Sequence, residues 1–288
     1  MDKLVFRTIL LTYFLVSHLS YAKFDQNSET KKLGSHMVTN QEPIHRSSGL
    51  PSNIAAITPA DVPQLKIILE EIKESMDDWP QLHYYSKANA QIMHGAQANE
   101  RVVFLGDSIT EFWNDQKYGG FFPGKPYINR GISAQTTPQM LLRLRADVIA
   151  LKPKVMVLLA GVNDIAGNTG PMTMQQTQDN ITTIAELATL HHIKVIIASV
   201  LPTSNYHYNG TEPITVRRPL ATIRALNAWI KNYCEEHGHV YLDYFTAMID
   251  EQGMLKSELS EDDLHPNKTG YALMAPLAQA AIEKAFKS

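Results

Sequence analysis

The stretch Val102-Val103-Phe104-Leu105-Gly106-Asp107-Ser108-Ile109-Thr110 joins four apolar residues to a polar turn. A short, wholly apolar run is typical of a strand that is buried on both faces, as in a parallel sheet covered by helices. The Gly-Asp-Ser sequence after it is where such a strand would deliver Ser108 onto an exposed turn. Gly, Asp and Ser are also the ordinary residues of strand ends, so this stretch gains its meaning from the rest of the chain.

Apolar runs of strand length recur along the chain and alternate with helical patterns. Such alternation predicts an α/β fold in which a mostly parallel sheet is covered on both faces. We predict strands at 101–105, 126–129, 154–160, 193–200 and 239–243, and helices near 136–150, 173–190, 218–237 and 268–287.

The N-terminal part of the chain has a different composition. Residues 1–22 have the pattern of a secretory signal peptide, with a basic start, an apolar stretch at 9–19 and a small-residue end. An uncleaved anchor is the alternative, although the apolar stretch is short for a membrane span. Residues 23–57 are polar and predict a flexible linker, residues 58–99 predict a helical extension packed on the main domain, and residues 100–288 form that domain. We therefore predict an exported protein, periplasmic or extracellular, with no stable membrane insertion after cleavage.

The composition excludes several classes of protein. The single cysteine, Cys234, cannot form an internal disulfide, and its apolar helical surroundings predict a buried side chain rather than a nucleophile. A net charge of −3 without a basic tract disfavours a nucleic-acid partner. The chain has no glycine fingerprint for nucleotides and no spacing of zinc ligands, so we predict neither a cofactor nor a metal.

A second polar motif, Asp262-Asp263-Leu264-His265, lies near the C-terminus. A serine hydroxyl is a weak nucleophile until a base accepts its proton, and that base needs a third group to orient it. His265 is a candidate base, and Asp262 lies three residues earlier, within reach of the imidazole. The alternatives are a solvated start of a helix, or a cation site made by Asp262, Asp263 and His265.

Two further strand ends carry candidate donors for an oxyanion. Asn163 and Asp164 follow the apolar run 154–160, where Asn163 could present its side-chain amide and Asp164 could hold the turn. Gly131 follows the run at 126–129, and a glycine there would let its N–H approach a substrate without a Cβ in the way. Ordinary turns are the alternative at both places. In a parallel sheet these strand ends meet at one edge, where α/β folds bind their ligands.

Taken in order, these motifs resemble the blocks of the SGNH hydrolases, also called the GDSL esterase/lipase family. The resemblance covers roughly residues 100–288, and it implies a flavodoxin-like three-layer α/β/α sandwich with a five-stranded parallel sheet. The matching residues are Gly106-Asp107-Ser108 in the first block, Gly131 in the second, Gly161 with Asn163 and Asp164 in the third, and Asp262 with His265 in the fifth.

The resemblance also implies roles for these residues. Ser108 would be the nucleophile, His265 the base and Asp262 its orienting acid, without a metal. The oxyanion would be bound by the N–H groups of Ser108 and Gly131 and by the side chain of Asn163. The chain departs from the family at Ala134 and Asp263, where glycine is frequent.

The segment 201–208 follows the fourth strand and is expected to lie over the site. Its tyrosines could stack on a sugar ring or line an acyl pocket, and the arginines before the next helix could meet an anionic group or simply begin that helix. The candidate substrate contacts are Asp107, Tyr206, Tyr208 and Arg217, with Arg218 beside it.

No long insertion separates the motifs, which predicts an open site rather than a deep tunnel. An open site on an exported enzyme favours a small-molecule or carbohydrate ester with a short acyl group, most simply acetyl. The alternatives are a lysophospholipase or thioesterase, an acyltransferase that uses the same serine, and a non-catalytic carbohydrate-binding protein with this fold.

Overall fold

The computed structural model describes residues 62–93, 100–210 and 212–288. The predicted signal peptide and linker lie outside these ranges. The chain divides after Asp77 into two compact units. Of the first unit the structure describes one helix, α1, which spans Val62–Asp77.

The second unit, Asp78–Ser288, contains one sheet of five strands in the order β2-β1-β3-β4-β5, with every neighbouring pair parallel. The strands are β1 (Val102–Gly106), β2 (Tyr127–Gly131), β3 (Val155–Leu159), β4 (Lys194–Ala198) and β5 (Val240–Leu242). This is the flavodoxin-like order, so the predicted fold is confirmed.

Helices connect the strands, and three short 3-10 turns at Gln116–Tyr118, Ile149–Leu151 and Ser257–Leu259 complete the described elements. The helices of this unit are α2 (Ser86–Met93), α3 (Ser108–Phe112), α4 (Thr137–Asp147), α5 (Val162–Ile165), α6 (Met174–Leu190), α7 (Ile214–Arg217), α8 (Leu220–His237), α9 (Phe245–Met248) and α10 (Lys268–Lys287). Within the described ranges, no helix combines the length and apolar character that a membrane crossing requires.

The register of the sheet brings the polar strand ends together. Gly106, the last residue of β1, pairs with Gly131 of β2 on one side and with Leu159 of β3 on the other. Because parallel crossovers are right-handed, α4, α6 and α8 cover one face of the sheet and α10 covers the other. The turns after β1, β2 and β3 lie side by side at the carboxyl ends of these strands.

The core is formed by the strands themselves. All five side-chain positions of β1 and of β3 are buried, as a sheet covered on both faces requires. Burying an aliphatic side chain such as Leu105 stabilises the fold by roughly 2 kcal/mol. Cys234 on α8 is also buried, as predicted, and burial raises the pKa of its thiol to about 12, so it is not a nucleophile at neutral pH.

The predicted extension is divided by the unit boundary, because α1 belongs to the first unit and residues 78–93 to the second. In the second unit α2 is joined to the sheet by polar contacts. Asn89 donates its amide N–H to the Asp147 carboxylate at 2.7 Å and accepts from the Arg130 guanidinium at 2.9 Å. The hydroxyl of Tyr85 donates to the carbonyl oxygen of Gly131.

Candidate active site

Ser108 is the first residue of α3, directly after β1. Asp107 caps this helix, because its carboxylate accepts the Ile109 N–H at 3.0 Å. The N–H of a residue in the first helical turn has no acceptor within the helix, so the Ser108 N–H is available to a ligand. Among the described residues the Ser108 N–H has no acceptor, so the turn presents both groups expected of Ser108, a hydroxyl and an N–H.

The hydroxyl of Ser108 lies in line with a histidine and a carboxylate. Its Oγ is 2.9 Å from His265 Nε2, and His265 Nδ1 is 2.7 Å from Asp262 Oδ2. The imidazole therefore donates its Nδ1–H to the carboxylate and presents Nε2 as the acceptor for the serine proton. The structure brings these three residues together although 157 positions separate Ser108 from His265.

Asp262 is held in place through both of its oxygens. Oδ1 accepts the N–H of His265 at 2.7 Å and that of Leu264 at 3.1 Å. Burial raises the pKa of Asp262, but the hydrogen bonds and positive charge of His265 outweigh it and lower the pKa to about 2. The carboxylate is therefore ionised whenever His265 works as a base. The ring of Phe112 packs against the imidazole, with 5.0 Å between the ring centroids.

Asn163 lies on α5, just after β3, and its side chain is buried at the same edge. Its amide nitrogen donates to the carbonyl oxygen of Gln135 at 3.1 Å and lies 3.4 Å from Asp107 Oδ2. Asn163 Oδ1 accepts from the Arg218 guanidinium at 3.3 Å. The N–H end of the amide thus faces the turn that contains Asp107 and Ser108.

Gly131 does not have the free N–H that the sequence led us to expect, because this group donates to Asn129 Oδ1 at 2.9 Å. Its lack of a side chain has another reason. A Cβ at Gly131 would lie 2.1 Å from the backbone nitrogen of Glu111, so glycine lets β2 approach the backbone of α3. We therefore correct the expected role of Gly131 from oxyanion donor to packing position.

The loop that follows β2 supplies a better donor. Ala134 adopts the left-handed conformation, with φ of +64°. Among the described residues its N–H has no hydrogen-bond acceptor, and the next residue, Gln135, is the one bonded to Asn163. Glu111 fixes this loop, because its carboxylate accepts the Ser133 N–H at 2.7 Å. Ala134 therefore replaces Gly131 as the candidate donor from this loop.

Asp107 directly precedes Ser108 and is fully buried. Burial raises the pKa of Asp107 to about 6, although the Ile109 N–H and the charges of His265 and Arg218 act in the opposite direction. Its carboxylate caps α3 and lies beside Asn163, so the hydrogen bonds observed for Asp107 are made within the protein.

Tyr206 lies in the loop after β4, and its ring is 45% exposed. Its N–H donates to the Asp263 carboxylate at 2.8 Å and its hydroxyl to Asp250 at 2.6 Å. Asp263 is the residue next to Asp262, so this ring is held at two points beside the catalytic loop. Asp263 therefore accepts from the loop after β4, whereas Asp262 accepts from His265.

The other two candidate contacts lie differently. The guanidinium of Arg217 donates to the carbonyl oxygen of Ala166 at 2.8 Å and lies 3.4 Å from Asn168 Oδ1, so it holds the loop after α5. The hydroxyl of Tyr208 is buried and has no partner among the described residues. Among the described residues, neither side chain makes a hydrogen bond to Ser108 or His265.

The sequence did not lead us to assign Gln135 or Glu111 to the site, and it suggested Arg218 only as a contact for an anionic group or as the start of the next helix. Their positions depend on hydrogen bonds between loops that are distant in sequence, and the spacing of residues within one loop does not predict such bonds. One local pattern in this region is informative. Thr136-x-x-Gln139 is a capping-box pattern, which predicts the start of α4 and hence the end of the loop after β2.

Comparison with known proteins finds one matching family and similar solved structures. The GDSL-like lipase/acylhydrolase family matches residues 104–273. A solved structure from Bacteroides fragilis shares 38% identity, covers 72% of this chain and 97% of its own, and superimposes with a TM-score of 0.66. A GDSL-like lipase from Bacteroides thetaiotaomicron shares 37% identity over 72% of this chain and 98% of its own, with a TM-score of 0.65.

One curated relative is named by its substrate. An acetylxylan esterase from Geobacillus stearothermophilus is 22% identical over 205 residues, which are 62% of this chain and 91% of that enzyme. The family match spans more than half of this chain and includes the nucleophile turn and the Asp262–His265 motif. This chain belongs to the GDSL-like lipase/acylhydrolase family, the SGNH hydrolases, and is a carboxylic ester hydrolase.

Proposed function

We propose that this protein is an exported serine esterase that removes short acyl groups, in particular acetyl, from carbohydrates through an acyl-serine intermediate. The observation that carries the proposal is the continuous chain of contacts from Ser108 Oγ through His265 to Asp262. This is the arrangement in which a serine hydroxyl becomes a nucleophile at neutral pH.

In the proposed reaction Ser108 Oγ attacks the ester carbonyl carbon while its proton passes to His265 Nε2. The N–H groups of Ser108 and Ala134 and the amide of Asn163 donate to the developing oxyanion. When the tetrahedral intermediate collapses, the C–O bond to the alcohol breaks and His265 returns the proton to the departing oxygen. Water then attacks the acyl-serine with His265 again as the base, which releases the acid and restores the serine.

Two features favour a short acyl group on a bulky alcohol. His265 and Asp262 are partly exposed, with 21% and 54% of their side chains accessible, so the triad lies near the surface. The exposed ring of Tyr206 is fixed beside the catalytic loop and offers a flat aromatic surface of the kind that stacks on a sugar ring. The relation to an acetylxylan esterase points to the same chemistry.

The test of the chemistry is Ser108→Ala, which should lower ester hydrolysis by at least about 10³-fold while the thermal unfolding midpoint stays within a few degrees. His265→Ala should cause a comparable loss. Near-full activity of Ser108→Ala would exclude the proposed nucleophile.

The test of the substrate is a comparison of p-nitrophenyl esters from acetyl to palmitoyl, with acetylated xylan and a lysophospholipid assayed in parallel. We expect the highest kcat/KM for acetyl esters and measurable release of acetate from xylan. A preference for palmitoyl esters or for the lysophospholipid would overturn the short-acyl assignment.

Two variants, Tyr206→Ala and Tyr206→Phe, test the role of Tyr206. Tyr206→Ala should raise the KM for acetylated xylo-oligosaccharides and leave that for p-nitrophenyl acetate unchanged. Tyr206→Phe keeps the ring and loses only the hydroxyl contacts with Asp250 and Gln252. Equal KM changes for both substrates in Tyr206→Ala would contradict sugar stacking.

A further inference from the structure

Arg218 is a buried arginine beside the site. It follows α7 and precedes Pro219, and only 8% of it is exposed. Its backbone is fixed, because its N–H donates to the Ile214 carbonyl oxygen at 3.1 Å and its carbonyl oxygen accepts the Thr203 hydroxyl at 3.2 Å. Burying a guanidinium costs free energy unless partners compensate, so its position calls for a reason.

The guanidinium faces the oxyanion donor rather than a carboxylate partner. Arg218 Nη2 donates to Asn163 Oδ1 at 3.3 Å, while its Nε is buried and has no partner among the described residues. Burial and the neighbouring Arg217 lower the pKa of Arg218 to about 10, and the charges of Asp107 and Asp262 act in the opposite direction. The group therefore remains a cation at neutral pH.

This contact decides which end of the Asn163 amide points at the nucleophile turn. In the observed orientation Nδ2 meets the Gln135 carbonyl oxygen and Oδ1 meets the guanidinium. Rotating the amide by 180° would place Oδ1 against a carbonyl oxygen and the NH₂ group against N–H donors, which is repulsive at both ends. Arg218 therefore favours the orientation in which the amide can donate to an oxyanion.

The charge of Arg218 adds a second effect. A charge-assisted hydrogen bond to Oδ1 polarises the amide and makes its N–H a stronger donor.

We propose that Arg218 is a positioning residue of the oxyanion hole, which orients and polarises the amide of Asn163 for the tetrahedral intermediate. The inference rests on the proposed serine mechanism and adds a residue to it. Because it acts through Asn163, its contribution must disappear when Asn163 is absent. It must also affect kcat more than KM, because the oxyanion exists only along the reaction path.

The experiment is a double-mutant cycle measured with p-nitrophenyl acetate. Arg218→Met should lower kcat by about 10- to 100-fold with KM changed less than about 3-fold. In the Asn163→Ala background the same substitution should lower kcat by less than about 3-fold. Arg218→Lys keeps the charge on a different geometry and should recover part of the loss. Arg224→Met, an exposed arginine on α8, is the control and should match the wild type.

Active-site titration and the thermal unfolding midpoint accompany each variant, so that kcat refers to folded, competent enzyme. If Arg218→Met is recovered in too small a folded fraction, the cycle is run with Arg218→Lys. An equal loss of kcat in the wild-type and Asn163→Ala backgrounds would overturn the inference, and so would an unchanged kcat. Failure of the serine mechanism is distinct, since Ser108→Ala would then remain active whatever Arg218 does.

Discussion

The carboxylate of Asp263 accepts the hydroxyl of Ser204 at 2.6 Å, which fastens the loop after β4 to the loop that carries His265. The N–H groups of Tyr206 and His207 donate to the same carboxylate at 2.8 and 2.9 Å. Asp263 is buried and adopts the left-handed conformation, with φ of +68°. Glycine adopts this φ without strain, whereas a residue with a Cβ is strained there. The strained residue at this position is also the one whose carboxylate anchors the loop after β4.

Two substitutions separate the hydrogen bonds of Asp263 from its backbone. Asp263→Ala and Asp263→Gly both remove the bonds that a buried carboxylate makes, which should destabilise the fold by about 2–4 kcal/mol. Alanine keeps the strain of the positive φ, so Asp263→Gly should be the more stable variant by about 1 kcal/mol. Urea unfolding measures both. Equal stabilities would mean that the backbone at this position carries no strain.

Arg143 is fully buried and joins the ends of two strands. Its guanidinium donates to the carbonyl oxygens of Gly106 and Arg130, each at 2.9 Å, and to the Asp147 carboxylate at 3.0 Å. Arg143→Met would remove these three hydrogen bonds and leave the buried Asp147 carboxylate without its ion-pair partner, and we expect a loss of about 3–5 kcal/mol in the free energy of unfolding.

The control for Arg143 is Arg145→Met on the same helix, since Arg145 is exposed. This variant should lie within about 0.5 kcal/mol of the wild type. Chemical denaturation of both proteins under one set of conditions decides the matter, and a small effect of Arg143→Met would show that the strand ends relax around the loss.

Asn89 joins α2 to the main domain through Arg130 and Asp147. Asn89→Ala removes both bonds and leaves two buried charged groups short of a partner, so it should cost about 2 kcal/mol. Lys87→Ala, at an exposed position of the same helix, is the control. If the two variants unfolded at the same urea concentration, residues 78–93 would contribute little to the stability of this unit.

The sequence predicts the sheet well because the buried parallel strands consist of continuous runs of apolar residues. The runs at 154–160 and 193–200 contain β3 and β4 and exceed them by one or two residues at each end. The excess arises because apolar residues such as Ala160 and Val200 are buried beyond the last ladder hydrogen bond. Burial, which sequence patterns report, therefore extends further than strand pairing.

The site is only partly predictable for a related reason. Ser108, Asn163 and the Asp262–His265 pair follow strand ends or lie within one short turn, so local spacing identifies them. The contacts of Arg218 and Asp263 join segments about 55 to 59 positions apart, and such buried polar contacts follow no period. From the sequence we also expected Gly131 to be an oxyanion donor. In the structure its lack of a Cβ instead lets β2 pack closely against α3.

Asp107 provides a prediction about pH. Burial raises its folded-state pKa to about 6, against about 3.9 in an unfolded chain. The folded protein thus binds this proton more tightly, so ionised Asp107 costs stability above pH 6. The cost fades as the pH falls from about 6 to about 4, where the unfolded chain also becomes protonated. Asp107→Asn keeps an oxygen to cap α3 and cannot ionise.

The stability of Asp107→Asn relative to the wild type should therefore rise by about 2 kcal/mol between pH 4 and pH 7.5. Urea unfolding of both proteins at pH 4, 5.5 and 7.5 measures this difference, and taking differences removes the titration of every other group that the two proteins share. A difference that stays constant with pH would show that Asp107 is solvated in the folded protein. A difference that falls as the pH rises would show that the charges of His265 and Arg218 outweigh its burial.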